Sequence, residues 1–321
     1  MNTTTIKPTK VKLMKTEKNV SRRAFNTRAG TALACATAAL GAPTSLFAAK
    51  EKKGNIQFSM YIYTLMNCPW TKEEMDIVEV CRRTKELGLE GLDFIGAGYN
   101  KSWAEIRKIT DDHGLKNICY TMGVSQMESP DAAVRAVGIE QFKQRLETAH
   151  VLGSNRIMLN QGGKASGNPS ATNRKWMIES LKEAMPLANA AGIEVTIETH
   201  NGEEAPFKTS AHFSEAIAQV PDMRVCFDSG NSFINGEDPL RGYLNNKDQV
   251  THVHFKDLSA GTLGDVKSGP CVPGTGLVDL PAIIKAMKDN GYNGYVNLEK
   301  GGPDGFEVYK QSMKLLAPLI A

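Results

Sequence analysis

Short runs of this chain alternate apolar and polar residues with a period of two, and longer stretches between them repeat at helical spacing. A period of two sends successive side chains to opposite faces of a strand. In residues 250–258, Thr251, Val253 and Phe255 fall on one side, and His252, His254 and Lys256 on the other. Residues 193–200 set Ile193, Val195 and Ile197 against Glu194, Thr196, Glu198 and His200. In 225–229, Val225 and Phe227 alternate with Cys226 and Asp228, and in 295–300, Val296 and Leu298 alternate with Asn297 and Glu299. A strand that only keeps one face wet has no reason to gather imidazoles and carboxylates there.

The pattern predicts strands over 57–65, 91–95, 116–122, 156–160, 194–199, 224–228, 251–256 and 294–299. Helices are expected over 72–87, 104–113, 131–152, 173–191, 210–220, 280–290 and 306–316, with a short one near 239–244 and Ser210 as the N-cap of the fifth. Eight alternating units in about 270 residues imply an α/β fold, a single (β/α)8 TIM barrel over residues 50–321. A doubly wound open sheet would carry a glycine-rich phosphate turn after its first strand, and residues 64–69 have no glycine. The longest irregular segments, 201–209 and 259–279, follow strands with candidate ligands, where a barrel builds its active face.

Glu198, Asp228, His254 and Glu299 end the polar sides of strands 5 to 8. Three carboxylates and one imidazole make a hard, anionic site for one divalent ion, best suited to Mn²⁺, with Co²⁺, Mg²⁺ or Zn²⁺ also compatible. Carboxylates crowded this closely repel one another unless a cation holds them. By parity His200 follows Glu198 and Lys256 follows His254 on the same side, so both are candidates to bind substrate hydroxyls or an oxyanion; a capping histidine and a solvated lysine are the alternatives. His252 lies deeper and reads as structural. Tyr61, Trp70, Trp103 and Tyr120 are candidates for a sugar-stacking wall or for the core.

Charge changes the picture at the N-terminus. Residues 1–50 hold nine Lys or Arg and one acid, and removing that +8 from the formal +3 leaves −5 for the remainder. Nucleic-acid binding therefore loses its electrostatic support. Ser21-Arg22-Arg23-Ala24-Phe25 resembles a twin-arginine export motif, and an apolar run and small residues follow it. Residues 1–49 are thus expected to be a cleaved signal that engages the twin-arginine machinery and delivers a periplasmic protein without stable membrane insertion. Cys68, Cys81, Cys119, Cys226 and Cys271 are odd in number, scattered and without C-x-x-C spacing, which argues against a zinc knuckle or disulfide framework.

The strand-end motifs, with Asp257 and the segment Gly274-Thr-Gly276-Leu-Val-Asp279, resemble the xylose-isomerase-like sugar isomerase/epimerase superfamily, whose barrels also include endonuclease IV. The resemblance implies that Glu198, Asp228, His254 and Glu299 hold the metal, and that Glu198 and Glu299 move protons on opposite faces of a substrate carbon. Asn231 stands where the nuclease members carry a histidine, which argues against DNA repair and leaves Asn231 as a substrate contact beside His200, Lys256 and Trp70. The expected activity is isomerisation or epimerisation of an unphosphorylated sugar or keto-sugar. The alternatives are a lyase or hydratase acting on keto-sugars or 3-keto-glycosides, and a non-catalytic, metal-containing carbohydrate-binding barrel. The substrate's identity and a homo-oligomeric state are not legible in the sequence.

Overall fold

Eight parallel strands close on themselves in the order β1-β8-β7-β6-β5-β4-β3-β2. They are β1 (Ile56–Tyr61), β2 (Gly91–Ile95), β3 (Lys116–Gly123), β4 (Arg156–Asn160), β5 (Glu194–Glu198), β6 (Arg224–Asp228), β7 (Val250–Phe255) and β8 (Gly294–Leu298). The computed structural model describes residues 54–69, 71, 75–96, 99–123, 126–161 and 166–321. The expected export signal and Trp70 lie outside the described residues.

The alternation sorts the strands as the sequence predicts. Val195, Ile197, Val225, Phe227, Val253, Phe255, Val296 and Leu298 join one core cluster beneath the helices, all 2% exposed or less. Full burial of side chains of this size contributes ~1.5–3 kcal/mol each. The opposite parity fills the barrel interior with Ser59, Asp93, Thr196, His252 and Asn297, and with a small cluster containing Cys119, Met158 and Cys226. The described cysteines are all free. Among the described residues no helix is long and apolar enough to cross a membrane.

Helix ends follow local chemistry. Asp76 caps Ile77–Glu86, Ser102 and Glu105 form a capping box for Trp103–Asp112, and Gly153 and Gly192 end Ala132–Leu152 and Ser170–Ala191 in the left-handed conformation. Three details depart from expectation. Strand β1 stops at Tyr61, because Ile62–Leu65 turns into a short helix whose Thr64 hydroxyl donates to the Leu298 carbonyl at 3.0 Å. Ser210 is the first residue of its helix and not its cap; the Glu237 carboxylate accepts its N–H and hydroxyl. A helix over Ser229–Ile234 follows β6 directly and is capped by Asp228.

The long segment after β7 is tied at its base. The buried Asp257 carboxylate accepts N–H groups from Leu258, Gly274, Gly276 and Val278 at 2.8–3.0 Å. A Cβ on Gly276 would collide with that carboxylate, so glycine is required there. Between the ties run two small antiparallel ribbons, Asp257–Leu258 with Pro270–Cys271 and Gly261–Thr262 with Asp265–Val266.

Candidate metal centre

Parallel register places Asp228 and Asn297 on either side of His254, while Glu198 and Glu299 come from the ends of their strands. Glu198, Asp228, His254 and Glu299 are all buried, and their ligand atoms lie within 4.8 Å of one another. His254 Nδ1 is 2.8 Å from Glu198 Oε1 and 2.9 Å from Glu299 Oε2. One N–H cannot serve both oxygens, and Glu299 Oε2 is left without a hydrogen-bond donor. Ligands bound at ~2.1 Å at right angles stand ~3 Å apart, which is the spacing of His254 Nδ1 from Glu198 and from Glu299. The four residues therefore fit a divalent cation.

The electrostatics agree. Burial, resisted by Lys256 and reinforced by Glu299 and Glu198, raises Asp228 to about 7. Burial opposes ionisation of Glu299 too, but Lys256 and His254 hold it at about 2. His254 is buried, which works against its cation, yet Cys226 and the two glutamates keep it well above its usual value.

Among the described residues Lys256 is the one lysine or arginine that reaches the carboxylates, with Nζ 2.7 Å from Glu299 Oε1 and 3.0 Å from Asp228 Oδ2. Its stem crosses Gly230, where a Cβ would collide with it. Nζ also donates to Asn231 Oδ1 at 3.2 Å, and Asn231 Nδ2 donates to the Thr199 carbonyl. Lys256 and Asn231 thus meet in the site, and a purely solvated lysine is ruled out by its partners.

A cleft of about 430 Å³ opens over these groups, lined by Tyr61, Asn160, His200, Asn231, Lys256 and Pro270 among others. His200 Nδ1 accepts the Gly202 N–H at 2.9 Å, so its single proton sits on Nε2. Burial lowers the His200 value, which keeps the ring neutral at pH 7. Of the proposed stacking wall, Tyr61 lines the cleft and tilts over the His254 ring at 4.7 Å. Trp103 and Tyr120 instead pack edge-on with each other, beside Phe94 and Tyr99, and belong to the core. Tyr63 and Asn160 line the cleft without having been singled out in the sequence, since neither offers a ligand nor follows one by parity.

One layer deeper, Asp93, Cys119 and His252 form a second buried group of potential ligands. His252 is neutral: burial, then His254 and Arg156, push it well below its usual value.

A profile of the xylose isomerase-like TIM barrel family matches residues 81–319. An inosose dehydratase of Lacticaseibacillus casei is 26% identical over 184 residues, a match covering 49% of this chain and 61% of the relative. The chain thus spans less than two thirds of that relative's length. Among solved structures, the IOLI protein with a bound zinc atom is similar at a TM-score of 0.68 and 16% identity, covering 82% of this chain and 98% of that one. A 3-keto-D-glucoside 4-epimerase from E. coli is similar at a TM-score of 0.65 and 20% identity, covering 83% and 100%. At such identities the structural likeness speaks to the fold.

Proposed function

The chain belongs to the xylose isomerase-like TIM barrel family, and from that premise we propose that it is a divalent-metal-dependent carbon–oxygen lyase acting on an unphosphorylated keto-sugar. The observation that carries this reading is the convergence of Glu198, Asp228, His254 and Glu299 on one point beneath an open polar cleft. Glu198, Asp228, His254 and Glu299 would hold a divalent ion there, which would supply Lewis-acid polarisation of a substrate carbonyl. Glu198 or Glu299 takes the proton from the carbon beside the carbonyl. The electron pair of that C–H bond becomes the new C=C bond as the C–O bond on the next carbon breaks. Lys256 Nζ stands beside both Glu299 and Asp228, where an ammonium can protonate the departing oxygen. His200 turns an Nε2–H toward the cleft and holds a substrate oxygen without changing charge. The products are an α,β-unsaturated ketone and water, or an alcohol if the leaving group is a glycosidic oxygen.

Isomerisation or epimerisation is the second reading. It shares the first proton removal and returns a proton to carbon in place of losing oxygen. The paired glutamates either side of His254 Nδ1 favour it, whereas the dehydratase name of the curated relative favours elimination. A non-catalytic carbohydrate-binding barrel has no use for two buried glutamates at one ion and ranks third.

The test incubates metal-loaded protein with 3-keto-glycosides and ketoses in D₂O. Elimination yields an enone with its ultraviolet band and a released alcohol or water. Epimerisation yields a deuterated epimer and no enone. Absence of both product and deuterium exchange across the panel overturns the catalytic reading. We also propose that residues 1–49 direct the protein to the periplasm through the twin-arginine route. Arg22→Lys with Arg23→Lys should then leave full-length precursor in the cytoplasm, and unchanged periplasmic delivery refutes the route.

A further inference from the structure

Beneath the four candidate ligands lies a polar layer: His252 and Asn297 come two residues before His254 and Glu299 on β7 and β8, with Ser59 on β1 and Asp93 on β2 beside them. All four are fully buried. The Asn297 amide is the hub. On one side it meets Asp93 Oδ2 at 2.8 Å, Ser59 Oγ at 2.7 Å and the Ser59 carbonyl at 3.2 Å; on the other it meets His252 Nε2 at 3.1 Å and His254 Nε2 at 3.3 Å.

The first group decides which way the amide points. A carbonyl only accepts, and Asp93 Oδ2 is already the acceptor of the Ser59 hydroxyl at 2.5 Å, a role it keeps when the acid's proton sits on Oδ1. All three thus require donors, so the NH₂ faces them and the amide oxygen faces the imidazoles. An oxygen accepts, which places a proton on Nε2 of both rings. A neutral His254 with its proton on Nε2 has a bare lone pair on Nδ1, the nitrogen that lies against Glu198 and Glu299. With the amide reversed, the NH₂ would demand a lone pair on Nε2, and a neutral His254 would carry its proton toward the ion. The ring would then be unable to coordinate. Asp93 and Ser59 thereby select the ligand form of a residue they do not touch.

We infer that Asn297 is the positioning residue of the metal centre: anchored by Asp93 and Ser59, it fixes the tautomer and ring orientation of His254 so that Nδ1 is presented as a ligand. This rests on the metal reading of the proposed function. It goes further in assigning a role to a residue of the deeper layer. Partners that orient a ligating histidine typically govern 10–100-fold in metal affinity.

The experiment uses the full chain stripped of metal and titrated with Zn²⁺ against a competing chelator. Long-range ¹H–¹⁵N NMR of the zinc-loaded protein reads each imidazole tautomer. The unaltered protein should bind zinc with the His254 proton on Nε2. Asn297→Leu, close in size and unable to accept, should weaken zinc binding by ~10–100-fold and lose the fixed Nε2–H signal. The exchange Asp93→Asn with Asn297→Asp restores both an anchor and an acceptor. It should recover most of the affinity, which a role in packing alone would not produce, and it serves as the informative variant should Asn297→Leu fail to fold. Zinc binding by the unaltered protein with undiminished affinity in Asn297→Leu, a His254 proton on Nδ1, or no recovery in the exchanged pair overturns this inference alone. Failure of the unaltered protein to bind zinc overturns the metal reading with it.

Discussion

The two ends of the barrel carry clefts of similar size and opposite character. At the N-terminal end of the strands a cleft of about 540 Å³ is lined by Arg107, Lys116, Asn117 and Arg156, and at the C-terminal end one of about 430 Å³ lies over the four candidate ligands. The larger cleft is electrically settled. Arg156 pairs with Glu194 at 2.6 Å, Lys116 with Glu90 at 3.3 Å and Arg107 with Asp111 at 3.7 Å, each cation with its own carboxylate. In the smaller one, three buried carboxylates share a single lysine and a histidine, and one oxygen has no donor. Volume does not distinguish the ends. An unbalanced set of buried charges does, because such a set is costly to fold unless something else arrives to balance it.

The strongest way to break this contrast is to substitute at the C-terminal end. Glu198→Gln and Glu299→Gln keep the shape and one ligand oxygen but remove the base, so turnover of the metal-loaded protein should fall by ~10²–10⁴-fold. His254→Ala should lose bound metal and activity together, as read by elemental analysis beside kinetics. Near-normal turnover in both metal-loaded glutamine variants would show that neither glutamate moves the proton.

Midway between the ends, Asp93 offers a pH test. Burial raises it from 3.8 to about 7, against the lowering effect of Ser59. Between about pH 4 and 7 the folded metal-free protein holds a proton that the unfolded chain has released, so stability from this group declines as pH rises through that window. Asn cannot ionise. Asp93→Asn should therefore gain on the unaltered protein as pH rises from 4 to 7, by at most ~4 kcal/mol, and then run parallel to it. Urea unfolding at a series of pH values checks this, and a difference independent of pH would refute it.

The N-terminal end should answer in stability alone. Arg156→Met strands a mostly buried Glu194 and should cost roughly 3 kcal/mol in urea unfolding, with kcat per folded molecule unchanged. Lys116→Met breaks an exposed pair and should cost less than ~1 kcal/mol. A clear loss of turnover in either variant would mean that the two ends are coupled.

How much of this was legible in the sequence depends on distance along the chain. The ligands at the ends of β5 to β8 stood out because each closes its own alternating run, a signal contained within a few residues. The early end of β1 did not, because Ile62–Leu65 has strand-like residues and turns only where Thr64 finds the end of β8. Ser210 had the chemistry of a cap, but Glu237, far along the chain, had already claimed it. Trp103 and Tyr120 looked suited to sugar, and nothing local told that they would meet each other. The hub at Asn297 was invisible for the same reason, since its anchor Asp93 lies at the other end of the barrel sequence. Period-two patterning reveals which face a residue occupies. It does not reveal which residue faces it from another strand.

The clasp at Asp257 has a consequence for how such a barrel diversifies. It gathers the return of the long segment at Gly274, Gly276 and Val278, immediately beyond the strand that carries His254. The segment from Ser259 to Pro273 is thus a finger with a fixed root, and its Ser268, Gly269 and Pro270 form one wall of the cleft. Lengthening a flexible loop whose ends are already pinned costs only ~0.6 kcal/mol per doubling. Insertions in this finger can therefore redraw the outline a ligand must match, while the four residues beneath stay in place.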